Sequence, residues 1–129
     1  MRQLFERYIH AGAITRDADA LAGLFTPDGI LEAPFAPPGG DYPQRLEGRD
    51  AIRAGMAAWY ARAAEDTRTV DITRSRYILH TTADPDVFIA EIDTAFTDSD
   101  TVSLVQIFRV RDGGIAHLRD YFAPSLVTP

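Results

Sequence analysis

The segment Ile115-Ala116-His117-Leu118-Arg119-Asp120-Tyr121-Phe122 holds one acid where an apolar residue belongs. Its alternating pattern predicts a β-strand, in which Ala116, Leu118, Asp120 and Phe122 share a face. Three of those four are apolar, so the face points inward. A carboxyl on such a face is costly to ionise unless it is paired. A carboxyl with a perturbed pKa is a candidate general acid or base. The structural alternative is an ion pair with an arginine such as Arg74 or Arg76. A second acidic motif, Glu91 and Asp93, places two carboxyls on one face of another strand together with Val87, Ile89 and Ala95. The opposite face of that strand carries Phe88, Ala90, Ile92, Thr94 and Phe96.

Other chemistry is poorly represented. No pair of histidines has ligand-like spacing and cysteine is absent, so no metal and no cofactor are expected. Gly39-Gly40 and Gly113-Gly114 read as turns rather than as phosphate-binding loops. The formal charge is −6 with no Lys/Arg-rich run, which argues against nucleic acid as a partner. The apolar runs are too short to span a bilayer, so no membrane association is expected. The opening Met1-Arg2-Gln3-Leu4-Phe5-Glu6-Arg7 lacks the apolar core of a secretion signal, and a soluble cytoplasmic protein is expected. The 129 residues suit one domain, 1–129, large enough to enclose a small ligand.

The elements that position these residues follow from periodicity. Leu4, Phe5, Tyr8, Ile9 and Gly12 predict a helix over 3–13. Asp17 is placed to cap a second helix bearing Leu21, Leu24 and Phe25. Thr26-Pro27-Asp28-Gly29 reads as a turn, and Ile30–Ala33 as a short strand. Pro34–Pro43 is a proline-rich loop, of the kind that often forms binding lids. Arg49–Ala64 predicts the longest helix, with the stripe Ile52, Gly55, Met56, Trp59, Tyr60 and Ala63. After Thr67 the pattern alternates. Val70, Ile72 and Ile78 mark a long strand, Val87–Thr97 the next, Asp98-Ser99-Asp100 a turn, and Val102–Val110 another strand. Arg111-Asp112-Gly113-Gly114 predicts a hairpin into the strand of Asp120. Helices first and strands after them predict an α+β domain: a curved antiparallel or mixed sheet wrapped around three N-terminal helices, leaving a cone-shaped pocket.

Several segments, taken in order, resemble the nuclear-transport-factor-2-like superfamily, in its SnoaL-like branch. They are Arg7-Tyr8-Ile9, Leu24-Phe25-Thr26-Pro27-Asp28-Gly29, Leu46-Glu47-Gly48-Arg49-Asp50-Ala51-Ile52, and Val110–Ile115 running into Leu118–Phe122. The resemblance spans nearly the whole chain and implies the cone fold. Fold alone does not imply reaction. In ketosteroid isomerases the oxyanion-binding tyrosine matches Tyr8, while the general base falls at Ala33 and the second oxyanion donor at Gln106. In limonene-epoxide-hydrolase-like enzymes the two aspartates match Asp93 and Asp120, with Glu91 at the arginine position and Leu31 and Ala33 at the water-positioning residues. SnoaL-type polyketide cyclases also carry an acid similar to Asp120. Phenazine-biosynthesis A/B-type proteins resemble Asp84-Pro85-Asp86 through Glu91-Ile92-Asp93.

The resemblance places Glu91 and Asp93 in the pocket and leaves the Phe88/Ile92/Phe96 face exposed. That face would then be the surface of a homodimer. Asp93 and Asp120 would form a coupled like-charge pair. The expected catalytic residues are therefore Asp120, Asp93 and Tyr8. The expected substrate-binding residues are Gln106, Glu91, Trp59, Met56, Phe35, Phe122 and Leu118. The expected function is cofactor-independent acid–base catalysis on a small, largely apolar molecule, with isomerisation, cyclisation, dehydration and epoxide opening all open. The alternative is a module of the same fold that binds such a molecule without turning it over.

Overall fold

The computed structural model describes residues 1–65, 68–97 and 101–127. Its framework is a six-stranded curved sheet. The strands are β1 (Phe25–Glu32), β2 (Arg45–Glu47), β3 (Arg76–Thr81), β4 (Val87–Thr94), β5 (Val102–Arg111) and β6 (Gly114–Tyr121). They lie in the order β2-β1-β6-β5-β4-β3. Only the β1–β6 pair is parallel.

The tightest connection is the hairpin joining β5 to β6. Asp112 (φ 52°) and Gly113 (φ 77°) both take positive φ, the requirement of a type I′ turn that the Asp-Gly pair anticipates. The hairpin register, continued unbroken, would pair Gln106 with Arg119; a one-residue shift between Arg109 and Val110 instead sets Gln106 directly opposite Asp120, and Ala90 on β4 lies opposite Gln106. All three therefore face the same side of the sheet.

Three α-helices pack on that side: α1 (Arg2–Ile9), α2 (Ala18–Gly23) and α3 (Arg49–Arg62). α1 runs on into a π-helical turn over His10–Ile14. Asp17 caps α2 as expected, its Oδ1 accepting from the Ala20 N–H at 3.0 Å. The Arg49 guanidinium at the start of α3 donates twice to the Phe25 carbonyl (3.1 and 2.6 Å), tying the helix to β1. The narrow end of the cone is filled by aromatic rings. Phe108 stacks on Phe88 (centroids 4.7 Å apart, 6° between planes) and takes the edges of Phe5 (5.8 Å) and Tyr8 (5.4 Å).

Several expectations need correction. Thr26–Gly29 is not a turn but the irregular first half of β1, where the pairing with β6 shifts register between Phe25 and Ile30. Gly29 is required there, because a Cβ would stand 2.9 Å from the Ile115 carbonyl oxygen. β2 was not foreseen: three residues are too few to show a period. The long strand expected from Val70 to Ile78 is broken by a turn around Asp71. Its carboxylate accepts from the Thr73 N–H (3.1 Å), the Thr73 hydroxyl (2.7 Å) and Arg74 (2.7 Å). Val70 only bridges to Phe96. The expected turn Asp98-Ser99-Asp100 and the change of pattern at Thr67 lie outside the described residues.

The largest correction concerns β4. Phe88, Ala90 and Ile92 are buried on the inner face, and Phe96 lines the cavity. Glu91 and Asp93 are on the outer face, so the Phe88/Ile92/Phe96 face is not a surface open to a partner. The cross-strand register decides this, because it places Ala90 and Ile92 level with Gln106 and Leu104. Among the described residues, no helix is long and apolar enough to cross a membrane.

Candidate functional site

The wide end of the cone, which the helices leave unfilled, holds a cavity of about 590 Å³. That volume lies in the range of small-molecule sites. β6 supplies Asp120, and the chain just past it supplies Phe122. β5 supplies Gln106 and Leu104, α1 supplies Tyr8, α3 supplies Met56, Trp59 and Tyr60, and the proline-rich loop supplies Tyr42. The wall is held by edge-to-face ring contacts, Tyr42 on Trp59 at 5.0 Å and Tyr42 on Phe122 at 5.2 Å.

Asp120 is 7% exposed and Gln106 4% exposed. Among the described residues, Asp120 Oδ1 and Gln106 Oε1 have no hydrogen-bond partner. Buried polar atoms are rarely left in this state unless something else satisfies them. Burial pushes the Asp120 carboxyl up to about 7, and a side-chain hydrogen bond from Gln106 pulls part of the way back. The alternative pairing with arginine is not realised: Arg74 is held by Asp71 (2.7 Å) and Arg76 by Asp93 (3.1 Å). The Tyr8 phenol is pushed well above its usual range, first by burial and then by the Asp120 charge. Tyr42 is raised for the same two reasons. Both phenols therefore stay protonated around a carboxyl that titrates near neutrality. They can donate hydrogen bonds but not accept a substrate proton.

Six of the ten expected site residues, Asp120, Tyr8, Gln106, Met56, Trp59 and Phe122, line one cavity, while Leu118 lies on the same sheet face but not on the wall. Leu118 is fully buried beside Phe108, toward the narrow end of the cone. The other three are elsewhere. Asp93 lies on the outer face, bound to Ser103 (2.7 Å) and Arg76 (3.1 Å), and those contacts hold its pKa below the usual carboxylate range. Glu91, also outside, contacts His80 at 2.6 Å. Phe35 is 56% exposed and packs on the Tyr121 ring at 5.4 Å. Asp93 and Asp120 thus form no like-charge pair, and the shift at Asp120 comes from burial. Tyr42 was missed because an irregular loop offers no period from which a facing could be read. Among the described residues, no three His, Cys, Asp or Glu side chains come together as a metal site would require.

A curved sheet closed over three helices, with an acid at the foot of an apolar cavity, is the architecture of the nuclear-transport-factor-2-like fold. The chain belongs to the SnoaL-like domain family, whose model matches residues 5–118. It is 35% identical over 113 residues to an uncharacterised PhzA/B-like protein of Pseudomonas aeruginosa, a match covering 84% of this chain and 74% of that protein. Among solved structures, it is similar to one described as a candidate isomerase from Bacillus subtilis (TM-score 0.72, 23% identity, covering 98% of this chain and 88% of that one). It is also similar to an epoxide hydrolase of limonene-epoxide-hydrolase-like type from M. tuberculosis (TM-score 0.56, 19% identity, covering 97% and 84%). At these identities the structural matches establish fold and nothing finer.

A raised carboxyl pKa has a consequence for stability. Between the unfolded value of 3.8 and the folded value of about 7, the folded chain keeps a proton that the unfolded chain has lost. Stability from this group is therefore complete below pH ~4 and declines as pH rises through 7. Asp120→Asn removes the titration. The variant should be more stable than wild type at pH 8, by up to about 4 kcal/mol, with the difference vanishing near pH 4. Urea denaturation at the two pH values checks this; equal differences at both would show that Asp120 does not titrate in this window.

Proposed function

We propose that this chain is a cofactor-independent acid–base enzyme that moves a proton on a small, largely apolar substrate, with Asp120 as the proton carrier. One observation carries the reading: among the described residues a single carboxyl is buried against an apolar cavity with no charged partner, and that burial pushes its pKa up to about 7. A group with that pKa can accept a proton and return it at neutral pH with little bias either way.

The lone carboxyl also favours one kind of chemistry over others. With Asp93 outside the cavity, no second acid lines it among the described residues to activate a water opposite Asp120. Two-acid epoxide opening is therefore a poorer fit than a reaction in which one group removes a proton and gives it back elsewhere, as in isomerisation or enolate-driven cyclisation. Ionised Asp120 takes the proton from a carbon next to a carbonyl, leaving an enolate. Tyr8, whose phenol stays protonated, and the Gln106 amide are placed to donate hydrogen bonds to the enolate oxygen. The chain contains neither lysine nor cysteine, so it has no side-chain amine for an imine and no thiolate nucleophile.

The reading is tested on 2-tetralone, a small apolar ketone with acidic α-hydrogens, by following deuterium uptake from D2O with NMR. Wild-type protein should accelerate exchange, with kcat/KM rising through pH ~7 as Asp120 ionises. Asp120→Asn should lose about a hundredfold or more. Exchange that is as fast in Asp120→Asn as in wild type would sink this assignment and leave the binding-module alternative.

We further propose that two copies pair through the outer sheet face, where Ile78 (56% exposed), Val105 (37%) and Phe35 (56%) stand out from the charged residues around them. Sedimentation equilibrium should give twice the monomer mass of 14.2 kDa, falling toward the monomer in Ile78→Glu. Monomer alone in the wild type would rule the pairing out.

A further inference from the structure

The cavity lining carries a cationic side chain as well as its acid. Ile14 and Ile72 both line the cavity and are exposed, so they mark its mouth. Arg16 lines the cavity there too, half-buried. Its backbone is unusual. The π-helical turn ends with the Thr15 N–H on the His10 carbonyl (2.8 Å) and the Asp17 N–H on the Ala11 carbonyl (2.8 Å). Arg16, between them, takes φ 51°, the left-handed region where a helix end ordinarily places glycine or asparagine. An arginine is a costly choice for a turn, and turn geometry alone does not call for one.

What the guanidinium does is more informative. Arg16 Nη1 donates to the Ala63 carbonyl at 3.2 Å, at the C-terminal end of α3. That contact steadies the side chain while using one of its five N–H groups. Among the described residues, no carboxylate pairs with it. Asp17, its neighbour in sequence, directs Oδ1 to the cap of α2. The Tyr60 hydroxyl lies within the influence of both Arg16 and Asp17, and burial keeps that phenol protonated, with its pKa raised to about 12. Arg68, also on the lining, lies over the Phe96 ring at 4.7 Å. The π-helical turn, a device often found at functional sites, carries Gly12, Ala13 and Ile14 along the same rim.

The geometry points to Arg16 as an anion anchor, and to an apolar carboxylic acid as the substrate class: the hydrocarbon body lies along the aromatic wall toward Asp120, and a terminal carboxylate meets the Arg16 guanidinium. This deepens the proposed function and rests on it for the role of the cavity. Asp120, whose pKa Arg16 does not influence, repels a second negative charge when ionised, so a bound monoanion favours the orientation with its carboxylate on Arg16. A planar guanidinium with N–H groups not taken up by the described residues, in a partly desolvated site, is well suited to hold a carboxylate.

Trp59, the only tryptophan, stands on the cavity wall, so its fluorescence reports occupancy. The probes are octanoate and octanol, which share a chain and differ in charge, titrated at pH 6. Wild type should bind octanoate about tenfold tighter than octanol. Arg16→Asn, whose asparagine suits the left-handed backbone, should abolish that preference while leaving octanol binding unchanged; Arg16→Lys should keep part of it. Equal binding of the two probes by wild type, a preference that survives Arg16→Asn, or an equal loss for both probes would each overturn the anchor. The last of these would mean that Arg16 is only part of the wall. The two readings fail separately in the wild type. Tetralone exchange without an octanoate preference removes the anchor, and an octanoate preference without exchange removes the acid–base reading.

Discussion

A six-stranded curved sheet has one inner face, and everything placed there must be filled by the helices, by side chains or by a ligand. Here the helices are short: eight residues in α1, six in α2 and fourteen in α3. They fill the narrow end, where Phe5, Phe88 and Phe108 are buried. They leave the wide end open as a cavity. Asp120 sits on that boundary. Two residues back along β6, Leu118 is in the packed core; two residues on, Phe122 is on the cavity wall. The acid is thus desolvated by the core beneath it yet still faces a space that a ligand can enter. Moving it one position along the strand would turn it to the outer face, where the carboxylates of Glu32 and Asp93 are held by cationic and hydroxyl partners.

The parts of this arrangement that were legible in the sequence rest on local rules. The Asp112-Gly113 hairpin joins β5 to β6 as its turn residues require, although the Gln106–Asp120 opposition also depends on the register shift between Arg109 and Val110. The odd acid in an apolar alternation marked Asp120 directly. Asp17 was readable as a cap because capping needs only one side chain and the backbone three residues on. Facing was legible in β4 as well, though the resemblance pointed the other way. Phe88, Ile92 and Phe96 are a better core face than Val87, Ile89, Glu91 and Asp93, and binary pattern alone would have turned the acids outward. What could not be read was anything depending on long-range pairing or irregular backbone: the parallel β1–β6 contact, the three-residue β2, Tyr42 in its loop, and the left-handed Arg16.

The loss of Asp93 from the site changes the chemistry. A pair of carboxyls can divide the roles of acid and base. One carboxyl must perform both in turn, which suits reactions that return the proton they remove. Its environment matches that demand, because burial raises the pKa while Gln106 keeps the ionised form within reach. The neighbouring phenols add hydrogen-bond donors without adding a competing base.

The claim on which all of this turns is that the Asp120 carboxyl titrates near neutrality. The direct measurement is a ¹³C NMR titration of the aspartate carboxyl carbons, with the Asp120 signal assigned by its absence from Asp120→Asn. A midpoint near pH 7 is the predicted result, well separated from the low values of Asp93 and of Asp71, which lies at about 2. A midpoint near pH 4 would mean that water or a charged group reaches Asp120, and that it is an ordinary carboxylate at the edge of a cavity.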